Sequence, residues 1–181
     1  MNGKDIKEII KTAVSLFLIC AVAAGILAYV NSVTAPTIAS NSQAAADEAR
    51  KTLLTEAKEF ELTELSDGST GYIGKDGGKT VGYVFTTSGK GYGGAVEVMT
   101  GIDCDGKVLG INILTINETP GLGMNAKKDS FLSQFTGRSG KLAVSKDGGD
   151  IDAITSATIT SRAVTSAVNQ ALAYYEEVKE G

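Results

Sequence analysis

The sequence predicts an α+β protein: one N-terminal transmembrane helix, then an antiparallel sheet packed by helices. Three observations carry this expectation. An uncharged apolar run fills residues 13–30. Short β-branched runs separated by Gly-containing turns occupy residues 72–116. Val164, Val168, Leu172 and Tyr175 recur at helical spacing near the end of the chain.

The apolar run, Ala13 to Val30, contains no charge, and Ser15 is its clearly polar residue. At about 1.5 Å per residue it nearly spans a hydrocarbon core of roughly 30 Å, and the uncharged residues 31–35 extend it. Lys4, Lys7 and Lys11 precede it, and no charge follows before Asp47. The positive-inside bias therefore places residues 1–12 in the cytoplasm, 13–33 in the membrane and the rest outside the cell membrane, as a single-pass protein. A cleaved signal peptide fits less well, because the small-residue site Val33-Thr34-Ala35 is followed by Pro36. Apart from Cys20 and Tyr29 the anchor holds no ionisable side chain, so it offers no ion path.

A lead helix and linker are expected over 34–69. Ile38 to Phe60 is rich in Ala, Glu, Lys and Leu and has no Gly or Pro. The domain proper is expected over 70–181. Tyr72-Ile73 runs into the hairpin turn Asp76-Gly77-Gly78, and Thr80 to Thr87 is the next strand. Ala95 to Asp103 and Val108 to Ile116 form one antiparallel hairpin about Asp105-Gly106, with Val96, Val98, Thr100 and Ile102 on one face. Lys127 to Phe135 reads as a short helix ended by Gly137, and Leu142 to Ser145 as a short strand. Ser161 to Val178 is the final helix.

Composition excludes several chemistries. The chain has no His, which removes His-based nucleophile systems and His-ligated metals. Two Cys hold neither a zinc ribbon nor an iron–sulfur cluster. No metal site and no catalytic residue are therefore assigned. A net charge of −4 gives no electrostatic support for nucleic-acid binding. Cys20 lies in the anchor and Cys104 in the outer domain, so no internal disulfide is expected.

Three segments stand out. Thr155 to Ser161 packs Thr155, Ser156, Thr158, Thr160 and Ser161 directly before the final helix. Hydroxyls at a helix start suit a phosphate, and they also suit plain N-capping. Gly91-Tyr92-Gly93-Gly94 lets backbone approach a flat ligand or simply connects a hairpin. Glu118-Thr119-Pro120-Gly121-Leu122-Gly123 has a rigid start and a permissive end, with Glu118 facing either a ligand or water.

In this order the three segments resemble the FMN-binding domain family, in which a threonine is esterified to the phosphate of FMN. Asp152, Thr155, Ala157 and Thr158 match the attachment motif, with Ser156 where glycine is frequent, and Glu118–Gly123 and Gly91–Gly94 match two further signatures. Ile116 stands where the family often has histidine. The resemblance covers roughly residues 70–178, and within the family the short length and single anchor are most similar to the G subunit of the Rnf complex. That complex passes electrons between ferredoxin and NAD and couples this to cation transport.

The resemblance implies an electron-carrying subunit that is not catalytic alone. Thr158 would carry FMN covalently, placed there from FAD by a separate flavin transferase, with Asp152 aiding that modification or the local turn. Thr155, Ser156, Thr160 and Ser161 would line the phosphate and ribityl chain, and Ala157 would also belong to the cofactor site. Gly121, Leu122, Gly123, Tyr92 and Gly93 would lie near the isoalloxazine ring, Glu118 would bond to the ring's polar edge or fix the loop, and Thr119 would also belong to the cofactor site. Partners would be the other integral and peripheral Rnf subunits. Two alternatives stand beside this: a stand-alone extracellular flavoprotein, and a membrane-tethered module without cofactor.

Overall fold

The computed structural model describes residues 3–180, with side chains from residue 7 onward. Met1, Asn2 and the Lys4 side chain, all in the expected N-terminal segment, lie outside the described residues, as does Gly181. The chain divides into two units, 1–44 and 45–181.

The first unit is helical. Helix α1 runs Gly3–Leu53, so anchor and lead segment are one continuous element. It contains Pro36, which removes one helical donor. Leu16, Phe17, Ile19 and Leu27 are exposed, and the helix is long and apolar enough to cross a membrane.

The second unit begins with the last turns of α1. The helix ends at Leu53 and not near Phe60. Leu54 is drawn into the core, and the backbone turns at Leu54–Ala57. Phe60 then lies in strand β1, Glu59–Glu64. Its Glu-Phe-Glu-Leu pattern favours a helix by propensity, but pairing with β2 wins. The other strands are β2 Thr70–Asp76, β3 Lys79–Lys90, β4 Ala95–Ile102 and β5 Val108–Thr115. They form one antiparallel sheet in the order β1-β2-β3-β4-β5.

Both faces of the sheet centre are covered, because side chains alternate across a strand. One face (Phe85, Val96, Val98, Ile102) packs with Ala163, Val164, Ala167, Val168 and Ala171 of α3, Thr158–Glu180. Each fully buried Val there contributes about 1.5–3 kcal/mol. The fit is close: at Gly89 a side-chain carbon would overlap the Ala163 carbonyl. Thr87 Oγ1 also donates to the Ala167 carbonyl at 2.8 Å. The opposite face (Val84, Met99) packs with Ala49 and Leu54. There the Arg50 guanidinium lies 3.6 Å from the centre of the Tyr72 ring and 5.6 Å from that of Phe60.

Between β5 and α3 the chain makes only short helices: Gly123–Lys127, α2 Asp129–Leu132, Ser133–Phe135 and Ser145–Asp147. The helix expected over Lys127 to Phe135 is therefore broken into short turns. The strand expected at Leu142–Ser145 is reduced to one parallel bridge, Val144 to Ile151. Gly148, at φ 83°, and Gly149, which lies against the Ala143 backbone, fold the intervening loop back tightly.

Candidate functional site

A cleft of about 490 Å³ opens at the N-terminal end of α3. It is lined by Tyr92, Glu118, Thr119, Leu122, Gly123, Ser156, Ala157, Thr158, Ile159 and Thr160. The three segments singled out in the sequence therefore meet in space, although some 65 residues separate the first from the last.

Local chemistry explains how each segment gets there. Thr119-Pro120-Gly121-Leu122 is a type II turn: the Leu122 N–H donates to the Thr119 carbonyl at 3.1 Å, and Gly121 takes φ 78°. Asn125 Nδ2 donates to the Gly121 carbonyl at 2.7 Å and fixes the turn from behind. Glu118 turns back toward the Tyr92 loop, where its Oε1 accepts the Tyr92 N–H at 2.7 Å. Gly91 and Gly123 leave room for that carboxylate. A side-chain carbon at Gly123 would stand 2.7 Å from Glu118 Cβ and 2.8 Å from Thr160 Oγ1. Gly93 lies against the Asn117 backbone, and Asn117 Nδ2 reaches its carbonyl at 3.4 Å. Glu118 and Gly93 thus join the two loops to each other.

The third segment carries a backbone outlier. Ser156 adopts φ 62°, a left-handed conformation disfavoured for any residue with a side chain. The position where the resembled motif usually has glycine therefore uses the conformation that glycine would make easy. After this reversal the Ala157 N–H donates to the Ile154 carbonyl, and Ser161 makes the first α3 bond, to Ala157. The N–H groups of Thr158, Ile159 and Thr160 precede that bond, so the start of the helix presents free donors and a partial positive charge to the cleft.

Thr158, half-buried, is the first residue of α3. Its Oγ1 accepts a hydrogen bond from Lys146 Nζ at 3.1 Å. Lys146 belongs to the Ser145–Asp147 turn. That turn is tied to α3 by Asp147, whose carboxylate accepts Arg162 Nε at 2.7 Å. The Arg162 hydrogen bond holds the Asp147 carboxyl below the usual carboxylate range.

Not every residue expected at the site lines this cleft. Ser161 is fully buried; its Oγ accepts the Ile154 N–H and donates to the Ala157 carbonyl, both at 3.0 Å. It shapes the loop and does not face a ligand. Thr155, Gly121 and Asp152 line a neighbouring cleft together with Gln134 and Lys128, sharing Leu122 and Ser156 with the first. Asp152 is held by its backbone: its N–H donates to Gln134 Oε1 at 2.7 Å, and Gln134 Nε2 donates to its carbonyl at 3.3 Å. Two residues at the site, Lys146 and Ile159, are missed by sequence reasoning. Ile159 sits inside the hydroxyl run as an apolar residue with no hydroxyl to offer. Lys146 lies 12 residues from Thr158, and no local pattern signals that the loop returns it.

The cleft fits a flavin mononucleotide by volume and by donor set. Its size falls within the roughly 300–1,000 Å³ of small-ligand sites. One end offers N–H groups and a lysine for a phosphate, while Tyr92, Leu122 and Ile159 supply an apolar rim that is 77%, 41% and 50% exposed.

A family model described as FMN-binding domain matches residues 91–173, and one described as the RnfG N-terminal region matches residues 1–53. The chain is 40% identical to the G subunit of the Na(+)-translocating ferredoxin:NAD(+) oxidoreductase complex of Acetobacterium woodii, over 97% of this chain and 96% of that one. It is 37% identical to the G subunit of the proton-translocating ferredoxin:NAD(+) oxidoreductase complex of Clostridium ljungdahlii, over 94% of each. A crystal structure of the C subunit of the Na(+)-translocating NADH-quinone reductase of Parabacteroides distasonis shares the fold. Its TM-score is 0.55 at 22% identity, over 69% of this chain and 79% of that one. With identity at this level running nearly end to end, the chain belongs to the family of G subunits of ion-translocating ferredoxin:NAD(+) oxidoreductase complexes.

Proposed function

We propose that this chain is the membrane-anchored electron-transfer subunit of an Rnf-type ferredoxin:NAD oxidoreductase complex. It carries FMN joined through its phosphate to Thr158 Oγ1. The observation that carries the reading is the placement of that hydroxyl, at the start of α3 and inside a cleft built from three separate loops.

When bound, FMN supplies one- and two-electron redox chemistry. The chain's own residues hold and expose it. The first-turn N–H groups of α3 and Lys146 would hold the phosphate. Tyr92, Leu122 and Gly123 would flank the ring, and Glu118 keeps their loops together through the Tyr92 N–H. The exposed rim leaves that end open to a redox partner within the complex. A covalent bond suits a domain outside the cell, where a dissociable cofactor is lost by dilution. The ester is made by a separate flavin transferase, and Asp152 lines the neighbouring cleft that shares Leu122 and Ser156 with the first. The N-terminus is cytoplasmic and the sheet domain extracytoplasmic.

Expression with a flavin transferase should give a band that fluoresces after denaturing electrophoresis, and an intact mass raised by one FMN less one water. Thr158→Val should fold and stay dark. A valine variant that keeps its flavin refutes the attachment site. A dark wild-type chain leaves a tethered module without cofactor. Protease added to intact cells should cut the sheet domain, and protection of that domain refutes the orientation.

A further inference from the structure

We propose that Lys146 is the residue that readies Thr158 for the phosphoryl transfer that loads the flavin, and that it afterwards neutralises the resulting phosphodiester. This rests on the reading of Thr158 as the attachment residue. Three independent features point to it.

The first is contact. Lys146 Nζ donates to Thr158 Oγ1 at 3.1 Å, and this is the only side-chain hydrogen bond of Lys146 among the described residues. The lysine is exposed and supports nothing else. The second is that the loop is built to present it. The Val144–Ile151 bridge and the left-handed Gly148 close the loop, and the Asp147–Arg162 pair staples it to α3 one turn beyond Thr158. Asp147 is engaged by Arg162, which leaves the ammonium of Lys146 free to face the cleft. The third is charge. Among the residues lining the cleft, Glu118 is the one carboxylate and none is basic. Lys146, bonded to Thr158, therefore brings the positive side chain to the phosphate end.

The chemistry follows. Thr158 Oγ1 forms a bond to the flavin-side phosphorus of flavin adenine dinucleotide, the pyrophosphate P–O bond breaks, AMP leaves, and the hydroxyl proton passes to water. Negative charge grows on the transferring phosphoryl oxygens and on the leaving phosphate. A fixed ammonium at the attacking oxygen favours that charge more than it favours the neutral hydroxyl, so it speeds the step. Because Lys146 donates to Oγ1, it fixes where that oxygen stands and leaves its second lone pair for the bond to phosphorus. After transfer the diester keeps one negative charge, and the same ammonium remains beside it.

The test uses the full-length chain in detergent, with purified flavin transferase and flavin adenine dinucleotide. Covalent FMN is followed by intact mass and in-gel fluorescence over time. Lys146→Gln should slow attachment about tenfold or more, with a melting temperature unchanged from wild type. Lys146→Arg should recover most of the rate, because it restores the charge. A glutamine variant that loads at the wild-type rate overturns the role of Lys146 and leaves Thr158 standing. An arginine variant as slow as the glutamine one also overturns it. A wild-type chain that never loads overturns the Thr158 reading, and this proposal with it.

Discussion

Ser156 carries a conformational cost that one substitution should remove. Its φ of 62° lies in the left-handed region, where a side chain costs roughly 1–2 kcal/mol. Glycine avoids that cost but loses about 0.5–1 kcal/mol more backbone entropy on folding. The net expectation for Ser156→Gly is a gain of about 0.5–1 kcal/mol. In a unit spanning residues 45–181 that corresponds to a rise in Tm of roughly 2–4 °C. No compensating bond is lost, because the Ser156 hydroxyl makes no hydrogen bond among the described residues. Ser156→Ala should therefore stay within about 0.5 kcal/mol of wild type. Ser156→Val should melt lower than wild type, since a β-branched residue tolerates this conformation least. The assay is thermal unfolding of the full chain in detergent, followed by near-ultraviolet circular dichroism. If glycine lowers Tm, or if valine matches serine, the backbone here is not strained and the reasoning fails.

Two further outcomes concern the site and its support. Glu118→Ala removes the acceptor of the Tyr92 N–H and should cost about 1 kcal/mol. Hydrogen exchange in the 90–94 loop should quicken, whereas Glu118→Gln, which keeps an acceptor, should leave it slow. On the far side of the domain, Asp67 accepts the Tyr174 hydroxyl at 2.6 Å and the Ser69 N–H at 2.8 Å. The Tyr174 bond, first, holds its carboxyl below the usual carboxylate range. A depressed folded-state value means the stabilisation is complete above about pH 4 and lost as pH falls through the lowered value. Melting temperatures between pH 6 and pH 3 should thus fall less steeply in Tyr174→Phe than in wild type, and parallel curves contradict the assignment.

Periodicity and turn chemistry reveal the β2–β5 strands because each has a local signature: β-branched alternation bounded by Asp-Gly or Gly-Gly. β1 is hidden because Glu59, Glu61 and Glu64 on an exposed edge strand look like the continuation of an Ala-Glu-Lys helix. What ends that helix is tertiary: Leu54 inserts against Gly74 and Gly82 of the sheet. The site is visible as three short segments because their glycines, proline and hydroxyls are unusual locally. Their division of labour is not visible. Ser161 and Thr158 are both hydroxyls on one helix, yet one is consumed by its own loop and the other opens into the cleft. Lys146 carries no signal until the 144–151 loop closes.

The meander order of the sheet sets a timetable. Each strand pairs with its neighbour in sequence, so the whole platform can be finished before residues 152–158 are needed. Thr158 acquires its surroundings only when α3 settles onto that platform and the two earlier loops close around its first turn. Under the proposed attachment at Thr158, loading is then a late event in the life of the molecule, and a misfolded copy, lacking the assembled recess, should leave the assembly line unpigmented.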